Sequence, residues 1–74
     1  MPPLPVISGQ DAIKAFSKIG YTLNRQKGSH IILIKAGCYP LTIPNHKELA
    51  IGTLKSLLRT AELSVDDFNK LINE

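Results

Sequence analysis

Apolar and polar positions follow two different periods along this chain, and the switches between them mark out six elements. A proline-rich lead-in, Met1 to Val6, reads as extended. Ala12, Ile13, Phe16 and Ile19 then recur at helical spacing. Ser8 stands at the N-cap position, Asp11 supplies the acidic half of a capping box, and Gly20 sits where a helix stops. Lys14 and Lys18 lie one turn apart, off the apolar stripe. From Tyr21 to Gln26 the pattern alternates, as a half-buried strand does, and Lys27-Gly28-Ser29 makes a turn. His30 to Lys35 is a second strand. Its consecutive aliphatics Ile31-Ile32-Leu33-Ile34 imply burial on both faces or a patch that a partner covers. Ala36-Gly37 turns the chain again into a third strand, Tyr39 to Ile43, which Pro40 restricts to an edge or a late start.

Pro44-Asn45-His46 leads into a second helix that begins between Lys47 and Thr53 and buries Ala50, Leu54, Leu57, Leu58 and Ala61. Gly52-Thr53 offers a late start, with Thr53 as cap. Ser64 caps a short third helix, Asp67 completes a second box, and Val65, Phe68, Leu71 and Ile72 face inward. Strands that follow one another without crossover helices form an antiparallel meander. The expected fold is therefore α+β, in the order α-β-β-β-α(-α), with a three-stranded antiparallel sheet and helices on one of its faces. Double-stranded RNA-binding domains are built in this order, which by itself says nothing certain of activity.

The 74 residues are read as one domain, 1–74, with a small core. Cys38 is alone, so no disulfide framework assists it, and no secretory segment or membrane span is visible; a cytoplasmic, reducing setting is expected. Charge is distributed unevenly. Residues 12–59 hold eight cations against the single acid Glu48, whereas from Glu62 onward four acids face Lys70 alone. A basic body favours a polyanionic partner, nucleic acid or an acidic protein.

The candidate chemistry lies at the first turn. Arg25-Gln26-Lys27-Gly28-Ser29-His30 sets two cations, a glycine bend, a hydroxyl and an imidazole between two strands. RNA carries its own nucleophile, the 2′-OH. An enzyme has to move that proton, stabilise a pentavalent phosphorane and protonate the leaving 5′-oxygen. His30 suits the proton transfer, and Arg25, Lys27 or the Gly28-Ser29 amides suit the charge. The plainer reading of His30 is a strand-start histidine bonded to a neighbouring carbonyl. His46 has three readings: second acid/base, phosphate contact, or helix-entry residue. Lys35 and Lys47 become phosphate contacts only if they share a face with His30. Two histidines and one cysteine lack zinc-site spacing and no carboxylate cluster offers a magnesium site, so no metal or other cofactor is expected. Cys38 reads as a structural or incidental thiol.

Several segments together resemble the HicA (YcfA-like) toxins, small mRNA interferases of toxin–antitoxin modules. They are Leu4-Pro5-Val6-Ile7-Ser8-Gly9, Gly20-Tyr21, Arg25-Gln26-Lys27-Gly28-Ser29-His30, Thr42 to Leu49, and Gly52 to Arg59. The resemblance runs nearly end to end. It implies a ribonuclease whose catalytic histidine maps onto His30, and a cognate HicB-type antitoxin that covers the active site. Two positions depart from the pattern: Glu62 stands where the end of the second helix usually has glycine, and Ile51 replaces a residue that is more often polar. The first therefore implies a different exit from that helix.

The reading that unites these observations is a metal-independent endonuclease acting on single-stranded mRNA, with His30 as general acid/base. Arg25, Lys27, Gly28, Ser29, Lys35, His46 and Lys47 are its candidate RNA contacts. A non-catalytic RNA-binding module on the same fold is the alternative, and a pure protein-interaction domain a third.

Overall fold

A computed structural model describes residues 4–73; the Met1–Pro3 part of the extended lead-in lies outside the described residues. The order is α1 (Gly9–Ser17), β1 (Thr22–Lys27), β2 (His30–Ile34), β3 (Leu41–Pro44), α2 (Ile51–Ala61) and α3 (Val65–Asn73). The sheet is an antiparallel meander with β2 in the centre. The α+β fold expected from the sequence is the one observed.

Local chemistry explains most of the boundaries. The Ser8 hydroxyl accepts the Asp11 N–H at 3.1 Å while the Asp11 carboxylate accepts the Ser8 N–H at 3.2 Å, which closes the expected capping box. The Asp67 N–H donates to the Ser64 hydroxyl at 3.0 Å, a single N-cap bond that opens α3. The third strand starts late, at Leu41, immediately after Pro40. The second helix starts at Ile51 behind Ala50, which has no side-chain cap, so Thr53 lies inside the helix and not at its head.

Helices cover one face of the sheet only. Ile31 and Leu33 of β2 and Leu41 and Ile43 of β3 point toward them and are buried. Phe16 of α1 sits at the centre of this layer, fully buried, with its ring 5.8 Å from Tyr21 and 5.5 Å from Phe68 of α3. Edge-to-face and tilted aromatic pairs of this kind each add about 0.5–1.5 kcal/mol beyond area burial. The run Ile31 to Ile34 is not buried on both faces: Ile32 is half-buried and Ile34 is 42% exposed. All six residues of β1 are exposed, because the helices sit beneath β3 and β1 projects beyond them. The half-buried first strand expected from its alternation is corrected accordingly.

Glu62 follows α2 with φ 58° and ψ 40°, the left-handed conformation normally left to glycine. Its N–H donates to the Arg59 carbonyl at 3.2 Å and the Leu63 N–H to the Leu58 carbonyl at 2.9 Å, a Schellman closure. The exit from α2 is therefore the glycine-type exit, made with a residue that opposes it. Glu62→Gly should raise stability by about 1 kcal/mol, or roughly 5 °C in a domain this small, measured by thermal unfolding. Burial raises the pKa of Tyr21 above the ordinary 10.0, with Cys38 and Glu62 adding to the shift. Because the folded state holds that proton more tightly, the contribution is present below pH 10.0 and is lost as pH rises through the elevated value. Denaturant titrations across alkaline pH should show this loss, and Tyr21→Phe should remove it.

Candidate active site

Lys27-Gly28-Ser29-His30 is a two-residue hairpin turn with Lys27 paired to His30. Gly28 has φ +60° and Ser29 a negative φ, the pattern of a type II′ turn with glycine at its first central position. Nothing lies within 4 Å of where a Gly28 Cβ would be, so the glycine meets a backbone requirement and leaves open space above the bend. The Gln26 side-chain amide donates to the Gly28 carbonyl at 3.0 Å, and the Asn45 N–H donates to the Ser29 carbonyl at 2.6 Å. The Gly28 and Ser29 amides have no acceptor among the described residues.

Register decides which side chains meet. His30, Ile32 and Ile34 alternate with the buried Ile31 and Leu33, so they occupy the face without helices. Lys27 is opposite His30 and Arg25 opposite Ile32, which places both cations on that same face. Directly opposed Cβ atoms are about 4.5–5.5 Å apart, and a diagonal neighbour such as Arg25 is about 7–8 Å from His30. Strict alternation from Leu23, which is opposite the buried Leu33, would have turned Arg25 and Lys27 the other way. A bulge between Leu23 and Arg25 inserts Asn24 as an extra residue and reverses the facing.

The remaining candidates divide. Pro44 pairs with His30 on the other side, and the Asn45–Ser29 bond brings residues 45–47 alongside the turn, so His46 and Lys47 lie at the His30 end of the sheet, both exposed. The backbone role of His46 is not entry to α2: its carbonyl accepts the Gly9 N–H at 2.9 Å and so serves the first turn of α1. Lys35 is elsewhere. It follows the far end of β2, about 17 Å along the strand from His30, with its ammonium 5.6 Å over the Tyr21 ring. It does not share a face with His30. Sequence reasoning missed Asn45, which touches both the turn and α1; its position after a strand-ending proline gave no sign of this.

The face around His30 bears Arg25 and Lys27 and, among the described residues of the sheet, no carboxylate, so it can hold a phosphodiester with an imidazole beside it. Among the described residues no three His, Cys, Asp or Glu side chains converge as a metal site, and no helix is long and apolar enough to cross a membrane. A family model described as the HicA toxin of bacterial toxin-antitoxin matches residues 9–63, a span that takes in α1, the whole sheet, the turn and α2. No curated protein matches the chain.

Gly28→Ala should destabilise the fold by about 1–2 kcal/mol through backbone strain alone, since the added methyl meets nothing. Chemical denaturation would check this; a neutral result would mean that the turn relaxes to another type.

Proposed function

Because the chain belongs to the HicA toxin family, and so is the toxin of a toxin–antitoxin module, we propose that it is a metal-independent endoribonuclease acting on single-stranded mRNA. The observation that carries this reading is the placement of His30 on a helix-free sheet face, directly opposite Lys27 and diagonal to Arg25. His30 takes the proton from the 2′-OH as its oxygen attacks phosphorus. The imidazolium gives that proton to the 5′-oxygen as the P–O5′ bond breaks, so the 5′-oxygen leaves as a hydroxyl and a 2′,3′-cyclic phosphate remains. Arg25 and Lys27 stabilise the negative charge of the phosphorane, and the Gly28 and Ser29 amides are donors of the same kind. His46 and Lys47 extend the surface for the RNA backbone, while Lys35, at the far end of β2, has no part in the reaction.

The partner in this reading is the cognate HicB-type antitoxin, docked over the same basic face. Carboxylates on the antitoxin would meet Arg25 and Lys27, and the exposed part of Ile34 would add apolar area. The whole activity is assigned to this one domain and to the cytoplasm, where mRNA is the substrate.

Purified protein with a long single-stranded RNA in excess EDTA is expected to yield fragments ending in a 2′,3′-cyclic phosphate and a 5′-hydroxyl. His30→Ala should lower the rate about 10²–10⁴-fold, the usual worth of general acid–base catalysis. Arg25→Gln and Lys27→Gln should weaken RNA binding and flatten its salt dependence. Intact RNA with a salt-sensitive mobility shift would instead mark a non-catalytic RNA-binding module. Gel filtration with the antitoxin should give a stable complex that protects the RNA.

A further inference from the structure

The His30 side chain has no hydrogen-bond partner among the described residues, so no neighbouring group orients the imidazole directly. Its location is therefore set by the backbone that carries it, and that backbone is held from the far side of the sheet. The Ser29 carbonyl, which belongs to the peptide leading into His30, accepts the Asn45 N–H at 2.6 Å. Asn45 in turn meets the first turn of α1: its side-chain oxygen accepts the Gln10 side-chain amide at 3.0 Å. One residue earlier, α1 comes so close that a Cβ on Gly9 would run into the Pro44 carbonyl oxygen and lie 3.2 Å from the Asn45 Cα. The Gly9 N–H closes the contact on the His46 carbonyl at 2.9 Å.

We propose that Gly9, Gln10 and Asn45 are positioning residues for His30, a clamp through which the first turn of α1 fixes the Ser29–His30 peptide. The inference rests on the assignment of proton transfer to His30. Its physical basis is the steep dependence of proton transfer on placement, where a displacement of about 1 Å can cost 10²-fold in rate. Any side chain at position 9 forces α1 away from Pro44 and Asn45 and slackens the bond that Asn45 makes to Ser29. Removing the Gln10–Asn45 bond frees Asn45 on one side and leaves its backbone bond intact, so its effect is the smaller.

The test combines kinetics with imidazole NMR on Gly9→Ala, Gln10→Ala and Asn45→Ala. Gly9→Ala is expected to lower kcat about tenfold or more and the other two roughly threefold, with KM for RNA within about twofold of the parent. The ring resonances of His30 should move in the same order. Gln10→Ala and Asn45→Ala lose only an exposed hydrogen bond, so they keep the test open if Gly9→Ala does not fold. Unchanged kcat and unchanged His30 resonances in these two would overturn the proposal, as would a loss carried entirely by KM. If the parent protein itself leaves RNA intact, the ribonuclease assignment fails. The His30 resonances then still report whether the clamp sets the ring, and a parent-like spectrum in every folded variant would sink the clamp as well.

Discussion

All the helices among the described residues pack on one face of the three-stranded sheet, and this one-sided cover governs the rest of the molecule. The short helices provide enough apolar surface to cover Ile31, Leu33, Leu41 and Ile43, with Phe16 joining Tyr21 and Phe68 at the middle of the layer. No element among the described residues remains for the other face. That open face carries His30, Lys27 and Arg25 together with Ile32 and Ile34. The same packing leaves β1 beyond the helical roof, exposed along its whole length, with Leu23 61% accessible. An open basic face and an overhanging edge are two results of one packing arrangement.

Much of this is legible in the sequence because it is encoded locally. Capping boxes are decided within four residues, so Ser8 with Asp11 and Ser64 with its neighbours mark the heads of α1 and α3 unambiguously. Pro40 delays β3 for a reason that belongs to proline itself. The turn at Gly28 and the grouping of His30 with the cations at positions 25 and 27 are contiguous in the chain, so the heart of the candidate site is written in six consecutive residues. What the sequence conceals depends on distant parts. The exposure of β1 follows from where the helices settle, and the placement of Lys35 over the Tyr21 ring follows from the β1–β2 register, in which Thr22 pairs with Ile34. Ala50 has no capping side chain, so the head of α2 leaves no mark in the sequence. Glu62 shows the opposite case, in which an unfavourable residue is held in a left-handed conformation because the Schellman bonds and the packing behind it require that geometry.

The electrostatics of the open face agree with its lack of cover. Arg25 and Lys27 have no carboxylate opposite them in the sheet, while an ion pair of Lys70 with Asp66 at 3.5 Å lies on α3 and is exposed. A surface pair of that kind contributes little to stability. The cations that matter are thus unneutralised from within, and an anion that arrives displaces only water and counterions. In the proposed reading, substrate and antitoxin compete for that unpaired charge.

The bulge at Asn24 gives this small strand a break in phase. Before it Leu23 lies opposite the buried Leu33 and faces the helix side of the sheet while staying 61% accessible; after it Arg25 and Lys27 lie opposite Ile32 and His30 on the open side. A single inserted residue thus sets the sign of the charge that the open face presents.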